Sequence, residues 1–168
     1  MIREMEAVNR RCSGTGKDDR MDRKSAAKTL REIGRLLELS GENPHRVRAF
    51  HGASRAVERA DGDLVELVAS GRILELKGVG KGTAAVLEDL AAGRRPQALA
   101  EAEEKVPPGV REMLALPGLG PKKVRTIWRD LGVENPGELE YACRENRLVE
   151  LKGFGSKSQA TMLEALHF

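Results

Sequence analysis

Aromatic side chains are almost missing from this chain: one Trp, one Tyr and three Phe make up 3% of 168 residues. A core without them must be filled by Leu, Val, Ile and Ala, a composition that favours helices over sheets. Cysteine is nearly absent too. Cys12 and Cys143 stand apart and match no metal-ligand spacing, and a reducing cytosol fits that usage without being required by it. No apolar run approaches membrane-spanning length. The first residues lack the apolar core of a secretion signal, so no membrane partner and a cytoplasmic location are expected. A strong charge of one sign is also missing. With 29 Lys and Arg against 26 Asp and Glu, the net charge of +3 is too small to establish a nucleic-acid partner, and basic residues must be judged by where they lie. Runs of alternating apolar residues are absent as well, which excludes a sheet of any size. The length allows one domain or two small ones.

What the chain does have is a short glycine pattern, present three times. It reads Leu76-Lys77-Gly78-Val79-Gly80-Lys81-Gly82, then Leu116-Pro117-Gly118-Leu119-Gly120-Pro121-Lys122-Lys123, then Leu151-Lys152-Gly153-Phe154-Gly155-Ser156-Lys157. An apolar pair precedes each copy. A helical pattern follows each: Ala84, Leu87 and Leu90; Val124, Ile127 and Leu131; Ala160, Leu163 and Leu166. The pattern predicts helix, glycine turn, helix. Two glycines one residue apart permit a reversal with positive φ and close backbone approach. The apolar residue between them would plug the space between the helices. The helix after the second glycine presents free N–H groups and the positive end of its dipole, an anion site that a neighbouring Lys suits to phosphate. A nucleotide-binding P-loop fits poorly. It needs a glycine where Glu75 stands, and Ser or Thr where Gly82 stands.

The rest of the chain frames these turns. Residues 1–22 are polar and mixed in charge and are expected to be a disordered leader, with Met21 an alternative start. Leu30, Ile33, Leu36 and Leu37 predict an amphipathic helix from Lys24 to Ser40, closed by Gly41. Asn43 and Pro44 then cap a second helix with Val47, Phe50, Ser54 and Val57 inward. Arg48, Arg55 and Arg59 fall on another face of it, with His45 and Arg46 at its start, a candidate phosphate-backbone face. Asp61-Gly62-Asp63 resembles an acidic metal pair but sits where a helix cap belongs. Ile73-Leu74-Glu75-Leu76 could be a strand, but its repeat partner Met113 to Leu116 reads as helix. The stretch 94–108 is the expected linker between units 23–93 and 109–168, with a short helix from Gln97 to Glu104. Another helix is expected around Leu139 to Glu145, and Trp128 is expected in the core. The fold class is all-α: tandem helix-hairpin-helix units in two small helical domains.

From about Met21 to Leu166 the chain resembles the N-terminal region of bacterial and archaeal family X DNA polymerases, the polymerase-beta-like repair enzymes. The resemblance rests on Gly41-Glu42-Asn43-Pro44-His45-Arg46-Val47-Arg48-Ala49-Phe50, on the first two glycine turns, on Val106-Pro107-Pro108-Gly109 and on Leu151-Lys152-Gly153-Phe154-Gly155. It implies a lyase-type domain that binds the 5′-phosphate side of a gap, followed by a fingers or D subdomain that grips the primer side. It places Arg46 at the 5′-phosphate pocket with His45 beside it. It also implies a monovalent cation, K+ or Na+, held by the carbonyls of Leu74, Leu76 and Val79 and by those of Leu114, Leu116 and Leu119, bridging to DNA phosphate. No other cofactor is implied.

Departures from the family pattern weigh equally. The chain stops where the family's palm subdomain, with its two-metal carboxylates, would begin. The family's lyase lysine corresponds to Val86, its earlier basic neighbour to Gly82, and its pocket Tyr to Phe50. The expectation is a noncatalytic, sequence-independent DNA-binding module in base excision repair, nucleoid-associated. Gapped or nicked duplex with a 5′-phosphate is its partner, alongside a palm-bearing polymerase chain or another repair protein. Its contacts would be His45, Arg46, Arg48, Arg55, Gly78, Gly80, Lys81, Gly82, Gly118, Gly120, Lys122, Lys123, Gly153, Gly155 and Lys157. A lyase with a displaced lysine such as Lys81, and a helical protein-interaction scaffold, are the alternatives.

Overall fold

Ala26, Ala27, Leu30, Ile33 and Leu37 recur at helical spacing, and the chain winds there into α1 (Arg23–Ser40), which buries all five. The computed structural model describes residues 21–166. The expected leader, Cys12 included, lies outside the described residues apart from Met21 and Asp22. Gly41 ends α1 in the left-handed region at φ +81°, and the Glu42 N–H closes back on the Leu37 carbonyl at 2.9 Å. Asn43 then caps α2 (Pro44–Arg59), its side chain accepting from the His45 N–H. The two helices pack antiparallel, pinned where the buried Ser54 hydroxyl donates to the Ala27 carbonyl at 2.8 Å. Asp63 caps α3 (Leu64–Ala69), accepting from the Val65 N–H. The acidic pair at 61–63 is therefore a helix start, as its position indicated.

The first turn departs from a symmetric hairpin. Its leading arm is a single 3-10 turn, Arg72–Glu75, and only the trailing arm is an α-helix, α4 (Lys81–Ala91). Four residues between Gly71 and Leu76 are too few for an α-helix with paired ends. The second copy has α-helix on both sides, α6 (Pro108–Met113) and α7 (Pro121–Leu131). The third again leads with a 3-10 turn, Leu148–Glu150, before α9 (Ser156–Leu166). Between these lie α5 (Gln97–Glu104) and α8 (Pro136–Arg144). No strand occurs among the described residues, and the all-α class holds.

Val79, Leu119 and Phe154 are all buried, so each turn is plugged by its middle residue. Trp128 is in the core, and its indole N–H reaches Glu134 Oε1 at 3.3 Å. The inward set of α9 needs correction. Ala160 is exposed, and Gln159 and Met162 are buried instead. They stand four and seven residues after Gly155, the register that Ala84 and Leu87 hold after Gly80. The expectation for α9 was shifted by one residue. Gln159 is tolerated because its amide donates to Asn146 Oδ1 at 2.9 Å.

The segment expected as a linker is itself packed. α5 lies on α1 and α4, and α1 also touches α7. There the Arg125 guanidinium covers Gly41 so closely that an added Cβ would sit 2.5 Å from Nη2. The buried side chains form one connected cluster from Ala26 to Met162.

Candidate nucleic-acid interface

In each copy the two glycines divide the work. The first is left-handed: φ is +106° at Gly78, +77° at Gly118 and +92° at Gly153. The second is not. Gly80 at φ −111° and Gly120 at φ −93° are extended N-caps, a conformation open to any residue. The expected positive φ applies to the first glycine alone. A Cβ on Gly80, Gly82, Gly120 or Gly155 would meet no heavy atom within 4 Å. The backbone there faces open space, which a phosphate can occupy at hydrogen-bonding distance.

The trailing helices are 11 residues long in all three copies. At the first, the Thr83 hydroxyl accepts from the Gly80 N–H and donates to the Gly80 carbonyl, each at 3.0 Å. That staple leaves the N–H groups of Lys81 and Gly82 directed out of the helix start. At the second, Pro121 carries no N–H, so the outward donors begin with Lys122. Lys81, Lys122 and Lys157 are exposed beside these ends. Lys123 differs: its ammonium donates to the Gly118 carbonyl at 3.3 Å and lies 5.7 Å from the centre of the Phe154 ring. It ties the second turn to the plug of the third. Thr83 was not singled out from the sequence. Its spacing from Gly80, three residues into the helix, was the signal.

The basic residues of α2 do not converge. At about 100° per residue, Arg46 lies about 180° around the helix from Arg55, whereas Arg48 lies within about 20° of it. Arg46 turns toward Glu42 at 3.7 Å, and Glu42 also holds Lys105 at 2.6 Å. The Lys105 hydrogen bond and charge keep the Glu42 carboxyl below its usual range against the opposing effect of burial, with a lesser contribution from Arg46. Arg48 donates to the His45 ring at 3.0 Å. Arg55 and Arg59 line a groove of about 470 Å³ with Gly52, Lys77 and Gly78, where the first turn meets α2. The approach is close, since a Cβ on Gly78 would lie 3.4 Å from the Gly52 carbonyl.

The turn carbonyls fit a hard monovalent cation in donor type. Leu76 and Leu116 each accept one N–H, from Val79 at 2.9 Å and Leu119 at 3.2 Å, and retain a second lone pair. The set is all oxygen, as alkali cations require. Among the described residues, no three His, Cys, Asp or Glu side chains gather in a metal-binding group. Cys143 is buried, which pushes its thiol pKa up, with the Glu140 charge adding to the effect.

Two family models match the chain, a helix-hairpin-helix domain over residues 21–96 and a SAM-like helix-hairpin-helix tandem over 110–167. The chain is also 36% identical over 146 residues, 87% of its length, to the DNA polymerase/3′-5′ exonuclease PolX of Bacillus subtilis (strain 168). The matching stretch is the N-terminal part of that family X polymerase. The chain is a helix-hairpin-helix protein of the family X polymerase type. It spans 25% of the length of that relative. The helix-hairpin-helix units support a DNA-binding role. In this helix-hairpin-helix chain, no helix among the described residues is long and apolar enough to cross a membrane.

Proposed function

We propose that the chain binds gapped or nicked duplex DNA through its sugar–phosphate backbone, without reading sequence. Units 23–93 and 109–168 would hold opposite sides of the break. The observation that carries this reading is the threefold recurrence of one device: a glycine facing open space, extended at Gly80 and Gly120, at the start of an 11-residue helix, beside an exposed Lys. Backbone N–H groups and point-charge lysines suit phosphates, which position a protein on DNA but carry no base information. Arg46 and His45, with Lys81 and Gly82 at the first turn, would take the 5′-phosphate. Arg46 would exchange its loose contact with Glu42 for the doubly charged group, a stronger charge-assisted partner. Gly118, Gly120 and Lys122 would hold the primer side, with Gly153, Gly155 and Lys157 beside them. Lys123 would support this side from within. A K+ or Na+ at the carbonyls of Leu74, Leu76 and Val79, and of Leu114, Leu116 and Leu119, would lend positive charge where the phosphate approaches.

Four to six phosphates neutralised at the hairpins correspond to a log–log salt slope of about −4 to −5 from these contacts. Fluorescence anisotropy with a one-nucleotide gap, titrated with KCl, measures it. A flat salt dependence, or strong preference for one sequence, would overturn the reading. Equal affinity for gaps with and without a 5′-phosphate would remove only the 5′-phosphate assignment.

A further inference from the structure

The exposed side of α1 carries Lys24, Lys28, Arg31 and Arg35, spaced four, three and four residues apart and therefore on one face. That face borders the outward face of α2, which carries Arg48, Arg55 and Arg59. The border is fixed by contacts along the seam: Arg31 pairs with Glu58, and the His51 ring lies on Gly34, where a Cβ would meet it at 3.0 Å. On its far side, the α2 face leads through Arg55 and Arg59 into the groove at Lys77 and Gly78. Seven cations thus form one surface ending at the first hairpin. The acids along the seam are Glu58, already paired with Arg31, and Glu38; Asp61 lies in the groove beside Arg55 and Arg59. Arg46 is on the opposite side of α2 and belongs to a different surface.

Building on the DNA-binding reading above, we infer that this α1–α2 face is a second phosphate track, which holds the backbone of the same DNA beyond the hairpins. Charge complementarity and length favour that occupant. From Lys24 to Arg35 the helix rises about 16 Å, matching about five phosphates of one strand at 3.4 Å each. Continuity with the hairpin groove lets one duplex arm run from the first turn onto this face. An acidic protein segment would need no such continuity.

His51 gives the track its own signal. Burial lowers its pKa first; Glu38 opposes this, and Arg55, Arg35 and Arg31 lower it further. Phosphates laid across those arginines would relieve their effect, so the His51 pKa should rise on binding. A group whose pKa is raised in the complex strengthens binding at low pH, and loses that contribution as pH rises through the bound value.

The test compares three proteins on a gapped, 5′-phosphorylated duplex with long arms. They are the unmodified chain, a face variant (Lys24→Gln, Lys28→Gln and Arg35→Gln) and a hairpin variant (Lys81→Gln, Lys122→Gln and Lys157→Gln). Circular dichroism confirms that each is folded. The face variant should show a salt slope shallower by about 2 to 3. In the unmodified chain, the His51 midpoint followed by NMR should move up when DNA is added. An unchanged slope in the face variant with His51 unmoved by DNA overturns the track. If the hairpin variant then still loses binding, the hairpin reading survives. If the unmodified chain shows no salt-dependent DNA binding, both fall together. Loss of polyglutamate binding in the face variant, with its DNA slope intact, would assign the face to an acidic protein and overturn the track.

Discussion

At Gly78 the backbone is left-handed and pressed against Gly52, while at Gly80 it is extended and borders open space. A methyl group therefore has opposite consequences two residues apart. Gly78→Ala should cost about 1–2 kcal/mol for the left-handed conformation, and more through its contact with the Gly52 carbonyl. Gly118 has the same sign of φ with no such neighbour, so Gly118→Ala should cost less than Gly78→Ala. Gly80→Ala should lose under about 1 kcal/mol as a poorer N-cap, yet weaken DNA binding several-fold by holding phosphate off the helix start. Urea denaturation and anisotropy on the same three variants read both effects. If Gly80→Ala binds as tightly as the unmodified chain, the open space at that glycine has no role in binding.

For the elements, α4 decides what the first turn can do. The position that corresponds by resemblance to the family's lyase lysine is Val86, on the buried side of α4 at 2% exposure. Phe50, at the pocket Tyr position, is also buried. Val86→Lys would bury an amine within the apolar cluster that holds Val86, at a cost of about 3–5 kcal/mol. Its pKa would be depressed by desolvation, so the destabilisation should grow as pH falls and the amine is forced to charge. Borohydride trapping on a nicked abasic duplex should give no efficient cross-link in this variant. A strong cross-link with unchanged stability would mean that Val86 opens onto the DNA side. A strong cross-link in the unmodified chain, abolished by Lys81→Ala, would instead show that the nucleophile had moved to the turn.

Across the whole molecule, the Glu42–Lys105 pair links the α1–α2 connection to the end of α5. Glu42 remains partly solvent-accessible. A carboxyl held below its ordinary value of 4.5 adds stability above that value. The contribution is lost as pH falls through the lower, folded value. Lys105→Met should therefore lower the urea midpoint near neutral pH. The difference from the unmodified chain should close in acid, where Glu42 is neutral in both. An equal difference at all pH values would mean that Lys105 acts through packing of its stem.

The sequence by itself determined most of the helices, their caps and the places of the three turns, but not that the first and third turns lead with a 3-10 turn. These depend on local chemistry: Gly41 in the left-handed region, Asn43 and Asp63 accepting helix-start N–H groups, apolar residues at helical spacing. Even α5 was legible to the residue, because Pro96 and Lys105 bracket a short run of helix formers. The apolar spacing of α9 was less decisive, since Ala160 and Gln159 differ by one position and only contact with Asn146 shows which is inside. Tertiary structure alone decided how the surfaces face. Three lysines of the turns point outward while Lys123 folds back, and Arg46 and Arg55 take opposite sides of α2. The basic stripe of α1 gains a neighbour only when Gly34 accepts the His51 ring. Direction depends on which distant helix covers which side, and local pattern carries no information about that.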